Sequence, residues 1–265
     1  MHNAAFAALG LNWRYLAFEV HPDHLRAAIA GARAMHFAGL NLTVPHKLLA
    51  VDMVDVLDES AKTWGAVNTV IFKGADAGGE IRAVGYNTDA DAIATALRED
   101  LKVELRGAKV LLLGAGGAGR TAALKLASEN VAELFLVNRT RGKAEALAGE
   151  IKRQFPSVRV TTGHPQIAVD LVLNATSLGL KPGDPSPLDE TQFSLRQARA
   201  VYDMIYNPAE TALLQTARAA GCKTSNGLGM LLHQGAKAFE IWTKRKAPLA
   251  VMRRALRAAI YGEKA

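Results

Sequence analysis

Short apolar runs alternate with amphipathic segments through the second half of the chain. Five of these runs have the length of buried strands: residues 110–113, 134–137, 158–162, 171–175 and 200–204. Segments with helical spacing of apolar residues separate them, and strands joined by helices pair in parallel. The pattern therefore predicts an α/β unit built on a doubly wound parallel sheet.

The first ninety residues show a looser alternation of the same kind. The strand-like segments are residues 15–20, 40–44, 66–72 and 81–86. The helix-like segments are residues 23–37, a stretch that begins near Pro45, and residues 90–97 after the capping residue Thr88. The glycine-containing segment 73–80 suits a hairpin-like turn.

A last helix is predicted over residues 229–243 and is expected to return to the first lobe. The chain is therefore expected to form two domains with a cleft between them. One domain is an α/β unit of residues 1–89 and 230–265, and the other is the parallel-sheet unit of residues 90–229.

Composition narrows the class of protein. Hydrophobic residues make up 49% of the chain and charged residues 22%, which is typical of a globular protein. The single cysteine, Cys222, excludes an internal disulfide framework and favours the reducing cytoplasm. No apolar run approaches the roughly 18 residues of a membrane span, and residues 1–10 lack the pattern of a secretion signal. The net charge of +7 is interspersed with acids, which favours attraction of anionic small molecules over nucleic-acid binding.

A glycine motif lies directly between a predicted strand and a predicted helix. Its G-x-G-x-x-G pattern is formed by Gly114, Ala115, Gly116, Gly117, Ala118 and Gly119. The first glycine permits a tight turn, the second lets a pyrophosphate approach the backbone, and the third allows close packing of helix on strand. The alternative is a glycine-rich turn without a ligand. The context favours a Rossmann-type dinucleotide site, with the phosphates at the helix N-terminus.

The next strand ends without the acidic residue that binds the ribose 2′-hydroxyl of NAD. Asn138, Arg139 and Thr140 stand there instead, and Lys143 follows closely. An arginine at this place can pair with a 2′-phosphate, which predicts NADP as the cofactor. NAD, or a basic helix start on the surface without a ligand, remains the alternative.

Polar residues also cluster where a strand of the first lobe ends. Asn41, Thr43 and Lys47 can converge at the carboxyl end of this strand, where open α/β sheets bind ligands. Lys47 suits an acid/base role, although an ordinary surface lysine is the commoner case.

Three further polar residues have structural and functional interpretations. Asp89 is either a first-turn acid that the helix dipole favours or a functional carboxylate. Asn68 lies in an apolar strand, so its amide must find partners, and a substrate hydroxyl is one. Gln234 borders the apolar face of the last helix, as a core amide or a ligand contact. The seven histidines form no convincing metal site, and no metal is predicted.

Taken together, the motifs closely resemble those of the shikimate dehydrogenase family over nearly the whole chain. They are NLTVPHK (41–47), GAVNT (65–69), GYNTD (85–89), GAGGAG (114–119), NRT (138–140) and GLGMLLHQGA (227–236). The resemblance implies NADPH-dependent reduction of 3-dehydroshikimate to shikimate, a step toward chorismate and the aromatic amino acids. It also implies that the first domain binds substrate, that the second binds NADP, and that the enzyme is a monomer or a homodimer.

The resemblance assigns roles to individual residues. Lys47 matches the catalytic lysine that exchanges the proton at the reacting oxygen, and Asp89 matches the carboxylate beside it. The predicted substrate contacts are Asn41, Thr43, Asn68, Tyr206 and Gln234. The predicted cofactor contacts, besides the glycine motif, are Asn138, Arg139, Thr140, Lys143, Thr176, Met204 and Gly227.

One departure from the family pattern concerns the start of the chain. Family members begin with a strand and a Ser-x-Ser loop that holds the substrate carboxylate, whereas this sequence starts at the first helix. The expectation is that the start lies further upstream, or that substrate binding is weak or lost. Two alternatives to the main interpretation therefore stay open: a quinate/shikimate dehydrogenase that uses NAD, and a nucleotide-binding protein without turnover.

Overall fold

The computed structural model describes residues 1–75, 79–181 and 183–263. The chain divides into two compact units. The terminal unit consists of Met1–Asp89 and Leu232–Ala265, and the central unit consists of Ala90–Leu231.

The helices and strands follow one another in α/β order along both units. The strands are β1 (Gly39–Asn41), β2 (Val56–Leu57), β3 (Thr69–Ala75), β4 (Gly79–Tyr86), β5 (Lys109–Leu113), β6 (Glu133–Val137), β7 (Arg159–Thr162), β8 (Val169–Asn174), β9 (Ala198–Asp203) and β10 (Lys223–Asn226). The α-helices are α1 (His2–Ala8), α2 (Leu25–Ala34), α3 (His46–Leu49), α4 (Glu59–Trp64), α5 (Asp89–Leu101), α6 (Gly117–Ser128), α7 (Arg141–Gln154), α8 (Ala212–Ala219), α9 (Leu228–Thr243) and α10 (Leu249–Tyr261). Short 3-10 helices cover Pro22–His24, Ala50–Asp52 and Leu195–Gln197.

The central unit is a parallel sheet with the strand order β10-β9-β8-β5-β6-β7. All five of its strand pairings are parallel. The inner strands are nearly continuous apolar runs, as buried parallel strands require, and Leu111, Val172 and Val201 are fully buried. The predicted α/β fold with a Rossmann-type parallel sheet is thus confirmed.

The terminal unit has a smaller mixed sheet with the order β1-β3-β4-β2. Strand β3 is antiparallel to both β1 and β4, and β2 is parallel to β4. Leu25 and Ile29 of α2 pack in one apolar cluster with Val70. In a second cluster, Ile71 packs against Trp242 of α9, whose Nε1 donates to the carbonyl oxygen of Val70 at 2.9 Å. Helices therefore cover the sheet on both faces.

The prediction of a strand over residues 15–20 is wrong. The alternation is present, and Leu16 and Phe18 are 65% and 63% exposed, but no ladder to another strand forms within the described ranges. The side chain of Asn3 instead bonds both backbone groups of Tyr15, accepting from its N–H at 2.7 Å and donating to its carbonyl at 3.0 Å. Alternation of apolar and polar residues indicates which side chains would share a face. A β-strand forms, however, only where a neighbouring strand supplies partners for its backbone hydrogen bonds.

Other boundaries differ from prediction for local reasons. Strand β1 ends at Asn41 because a turn follows, in which His46 N–H donates to the carbonyl of Thr43 at 2.8 Å. Helix α2 stops at Ala34, and His36 takes a left-handed conformation with φ of 56°. The central residues of the predicted hairpin turn, 76–78, lie outside the described residues.

Several elements were not predicted, namely β2, α4, α8, β10 and α10. Strand β10 has the sequence KTSN, which lacks an apolar run because it is an edge strand. Helix α10 does carry a sequence signal, because Met252 and Leu256, four residues apart, are both buried on one side of it. In the portion of the chain that the structure describes, no helix has both the length and the apolar character needed to cross a bilayer.

Candidate active site

An ion pair between a lysine and an aspartate lies in the terminal unit. Lys47 Nζ donates to Asp89 Oδ2 at 2.8 Å, and the two side chains are 28% and 11% exposed. Lys47 lies on the short helix α3, and Asp89 is the first residue of α5. The pair is therefore accessible on the lysine side and shielded on the carboxylate side, which suits a group that exchanges a proton with a ligand.

A buried amide holds together the segments that carry this pair. Asn68 is 2% exposed; its Oδ1 accepts from Thr88 N–H at 2.8 Å and its Nδ2 donates to Thr88 Oγ1 at 2.9 Å. The preceding residue, Val67, donates its N–H to the carbonyl of Lys47 at 2.8 Å. Adjacent residues 67 and 68 thus bind the backbone of Lys47 and the residue before Asp89, which fixes the distance between the two charged residues.

The amide of Asn41 is also engaged by protein groups. Its Nδ2 donates to the carbonyl of Asn68 at 3.2 Å and to Thr69 Oγ1 at 3.0 Å, and its Oδ1 accepts from the Tyr15 hydroxyl at 3.0 Å. Burial raises the pKa of Tyr15, so this hydroxyl stays protonated as a donor. Asn41 therefore orders the end of β1 next to Asn68.

The remaining predicted substrate contacts differ in their surroundings. Thr43 is exposed in the turn after β1, and Gln234 is half-buried on α9 within the terminal unit. Tyr206 belongs to the central unit, where its side chain is 38% exposed in the segment after β9. Hydrogen bonds link Asn41 to Asn68, and adjoining contacts fix Lys47 and Asp89, whereas Thr43 has no direct bond to this network within the described contacts.

The glycine motif of the central unit is shaped by its backbone. Gly114 has φ of +105°, which L side chains rarely adopt, and its N–H donates to the carbonyl of Val137 at 2.7 Å. A Cβ atom on Gly119 would lie 2.1 Å from the Gly114 carbonyl oxygen, whereas one on Gly116 or Gly117 would meet nothing within 4 Å. The motif is thus closed on its protein side and open on the other, at the start of α6.

Asn138 joins this motif to the segment after β6. Its Oδ1 accepts from Ala115 N–H at 3.0 Å, and its Nδ2 donates to the carbonyl of Thr140 at 2.8 Å. Arg139, Thr140 and Lys143 are exposed around the start of α7. The structure therefore brings the glycine motif and the basic segment together at the carboxyl ends of β5 and β6.

A buried polar network missed at the sequence level lies at the ends of β8 and β9. Asp203 is fully buried and accepts from Thr211 Oγ1 at 2.7 Å, Asn174 Nδ2 at 2.9 Å and Ile205 N–H at 3.0 Å. Burial raises its pKa, although all three hydrogen bonds favour the charged form. Asn174 is fully buried too, and its Oδ1 accepts from Thr176 N–H at 2.9 Å and Oγ1 at 2.8 Å.

This network shapes the segments that carry the other predicted cofactor contacts. Thr176 is tied to Asn174, and Met204 follows Asp203 directly. A Cβ on Gly227 would lie 2.0 Å from the Met204 carbonyl oxygen, so only glycine allows this close approach. The available signal was that the apolar runs LVLN and AVYD both end in a polar residue.

No group of three or more His, Cys, Asp or Glu side chains suited to a metal ion occurs in residues 1–75, 79–181 or 183–263. Among the described residues, the polar groups that gather within each unit include amides, hydroxyls, the Lys47–Asp89 pair, Asp203 and the basic side chains of Arg139 and Lys143. They can position polar ligands and exchange a proton at Lys47.

Comparison with family models places three matches along the chain. A shikimate dehydrogenase substrate binding domain matches residues 1–70, and a shikimate / quinate 5-dehydrogenase model matches residues 96–179. A shikimate 5′-dehydrogenase C-terminal domain matches residues 227–257.

Relatives and solved structures match almost the full length. A shikimate dehydrogenase (NADP(+)) of Methanocella arvoryzae is 46% identical, with 98% of this chain and 93% of that protein covered. A crystal structure of a shikimate dehydrogenase in complex with NADP+ superposes with a TM-score of 0.86 at 38% identity, covering 98% of this chain and 89% of that one. A ligand-free 5-ketofructose reductase of Gluconobacter superposes with a TM-score of 0.83 at 34% identity, covering 97% and 92%.

Proposed function

The chain belongs to the shikimate dehydrogenase family, and on this premise we propose that it catalyses the reversible NADPH-dependent reduction of 3-dehydroshikimate to shikimate. The observation that carries the proposal is the Lys47–Asp89 ion pair, with its 2.8 Å contact and its partly exposed lysine. We propose further that the terminal unit binds the substrate, that the central unit binds NADP, and that the reaction takes place in the cytoplasm.

The open side of the glycine motif fits a dinucleotide. Atoms added at Gly116 or Gly117 would meet no protein atom, so a pyrophosphate has room to approach the first N–H groups of α6. Arg139 and Lys143 are exposed beside it and suit a 2′-phosphate, and no acidic residue stands at the end of β6 to repel one. These features support NADP as the cofactor.

NADPH, when bound, would supply the hydride for the ketone carbon, and the glycine motif, Arg139 and Lys143 would hold it. Lys47 Nζ donates a proton to the ketone oxygen as negative charge develops there, and in the reverse direction it accepts the proton from the hydroxyl. Asp89 keeps the lysine in place through their 2.8 Å contact and can accept a hydrogen bond from a neighbouring substrate hydroxyl. Because Asn68 and Thr88 fix the strand and helix ends around the pair, little reorganisation is needed during the transfer.

The proposal is tested by adding shikimate and NADP to the purified protein and recording the absorbance of the reduced nicotinamide. We expect reduction of NADP that depends on shikimate, with a higher kcat/KM than for the pair quinate and NAD. The Lys47→Ala variant is the matched control, because it should bind NADP but turn over little shikimate. Absence of turnover with shikimate, together with turnover of quinate or 5-ketofructose, would assign the site to another substrate.

A quinate/shikimate dehydrogenase is the second candidate, supported by the match to a shikimate / quinate model over residues 96–179. A nucleotide-binding protein without turnover is the third, since the open side of the glycine motif would accept a nucleotide whether or not a substrate reacts. Binding of NADP by calorimetry, with no reaction toward any of the polyol substrates, would favour the third candidate over the first two.

A further inference from the structure

A cavity of about 400 Å³ lies beside the glycine motif, between the first turns of α6 and the body of α7. We call it the basic groove. It is lined by Ala115, Arg120, Lys143, Ala146, Leu147, Glu150 and Arg153. Three of these side chains are cationic and one is anionic, so the groove is suited to a phosphate unless the carboxylate dominates the local field.

The carboxylate of the groove is masked by a side-on ion pair. Arg120 Nε donates to Glu150 Oε2 at 3.0 Å, and Arg120 Nη2 donates to Glu150 Oε1 at 2.6 Å. The two side chains are 33% and 20% exposed, and Gln154 Nε2 also donates to Glu150 Oε1 at 3.1 Å. Two parallel bonds of this type fix the guanidinium against the carboxylate and offset its charge.

Two predicted cofactor contacts open onto this same groove. Ala115 belongs to the glycine motif, and Lys143 follows the basic segment that starts at Asn138. A 2′-phosphate held near Lys143 would therefore share the groove with Glu150. A dianion and an unmasked carboxylate repel each other, and partial burial limits screening by solvent and salt.

We propose that the Arg120–Glu150 ion pair determines the selectivity of the site for 2′-phosphorylated dinucleotides, because Arg120 masks the charge of Glu150. This inference rests on the proposed function in one respect only, that the glycine motif binds a dinucleotide. Arg120 acts here through Glu150 as a positioning residue, and the role requires no direct bond from Arg120 to the phosphate.

The proposal is tested with Arg120→Gln, Glu150→Gln and the double variant, by the ratio of kcat/KM for NADP to kcat/KM for NAD. Arg120→Gln should lower this ratio by about tenfold, because the carboxylate then faces the phosphate unmasked. Glu150→Gln should keep the ratio or raise it by about threefold, and the double variant should return to within about threefold of the parent. The matched control is Glu145→Gln, five residues earlier on α7 and outside the groove, for which the ratio should stay at the parent value.

A second measurement separates this proposal from the enzyme assignment. Calorimetry with adenosine 2′,5′-bisphosphate and with AMP measures recognition of the 2′-phosphate without turnover, and it should show the same recovery in the double variant. If the double variant binds the bisphosphate as weakly as Arg120→Gln does, the proposal that Arg120 masks the charge of Glu150 is wrong. A fall of the ratio in Glu150→Gln, or a fall in Glu145→Gln as large as that in Arg120→Gln, would also overturn it. If the parent fails to oxidise shikimate yet the bisphosphate series behaves as stated, the proposed function fails and the masking role stands.

Discussion

The two units build their candidate sites by different means. In the terminal unit, side chains do the positioning: the Asn68 amide and Thr88 hold the segments that carry Lys47 and Asp89. In the central unit, the glycine motif itself is shaped by the backbone, through the left-handed Gly114 and the contact of Gly119 with the Gly114 carbonyl, and side chains order only the segments around it.

This difference predicts opposite sensitivities to substitution. A site held by side chains fails when atoms are removed, because buried donors and acceptors lose their partners. A site formed by close backbone approach fails when atoms are added, because a Cβ has no space. The following experiments contrast the two sensitivities, in order of decreasing expected effect.

Lys47→Ala, in the terminal unit, should have the largest effect, which is on kcat. It removes the group that exchanges the proton, so kcat should fall by about 10²- to 10⁴-fold while the Kd for NADP changes little. Steady-state kinetics and calorimetry with NADP measure the two quantities. Lys62→Ala is the control, since that exposed lysine of the same unit pairs with Glu59 on the surface. Unchanged turnover in Lys47→Ala would remove this lysine from the mechanism.

Gly119→Ala should have the next largest effect, on the central side. The new Cβ would lie 2.1 Å from the Gly114 carbonyl oxygen, so we expect a loss of about 2–3 kcal/mol in the free energy of unfolding and weaker NADP binding. Urea unfolding and calorimetry measure both. Gly149→Ala, inside α7, is the control, because its Cβ would meet only the end of the Arg153 side chain at 3.6 Å and should not destabilise the protein. Equal stability of the two variants contradicts the steric argument.

Asn68→Ala compared with Asn138→Ala tests the same contrast with one residue type. Asn68→Ala leaves the buried Thr88 N–H without its partner, so unfolding should become easier by about 2 kcal/mol and kcat should fall. Asn138→Ala frees Ala115 N–H in a less buried place and should mainly raise KM for NADP, at a cost of about 1 kcal/mol or less. Unfolding curves and kinetics with shikimate and NADP separate the two patterns. A rise in KM for NADP in both variants, with no difference in kcat, would erase the contrast.

The pH dependence of stability comes last because its effect is confined to acidic pH and should be absent at pH 8. Burial first, and the Met1 ammonium second, lower the pKa of His2 to about 4. Its neutral form therefore supports the fold above the unfolded value of about 6.5, and this support is lost as the pH falls toward 4, by about 2 kcal/mol at pH 5. His2→Phe keeps an aromatic ring beside Tyr15 and should flatten this loss in urea midpoints between pH 8 and 5. An unchanged pH profile in the variant would exclude His2 as the cause.

The raised pKa of Asp203, in the central unit, changes stability with pH in the opposite direction to the lowered pKa of His2. Its pKa is raised by burial, so the stability linked to its protonation is present below its unfolded value near 3.8 and is lost as the pH rises through the folded value. Asp203 therefore does not contribute to the loss of stability at acidic pH that we expect from His2.

Local patterns sufficed to predict much of the central unit. Buried parallel strands are continuous apolar runs, and the glycine motif lies between a strand and a helix. Each of these features can be recognised in a stretch of about a dozen residues. Residues 15–20 show the limit of such patterns, because their alternation is real but whether they pair depends on a neighbour distant in sequence. The hydrogen bond between Asn174 and Asp203 also depends on a contact distant in sequence. The two side chains are 29 residues apart, and the register of the sheet brings them together.

The sequence indicated which residues belong to the candidate site more readily than it indicated the hydrogen bonds that each of them makes. Lys47 and Asp89 were expected to act together, and the structure places them 2.8 Å apart. Asn41 and Asn68 were expected to face the substrate, and the structure shows how much of their hydrogen-bonding capacity is used inside the protein. Those partners come from three separate segments, so spacing along the chain could not reveal them.

The Trp242 bond to Val70 joins residues 172 positions apart, and this has a consequence for synthesis on the ribosome. All of the central unit, Ala90–Leu231, is translated before Trp242, so its parallel sheet can condense while the first sheet still lacks the helix that covers Ile71. During that interval the nascent chain exposes an apolar β-surface. Chaperone capture of this emerging polypeptide should accordingly concentrate on its earliest segment and end once the last two helices have emerged.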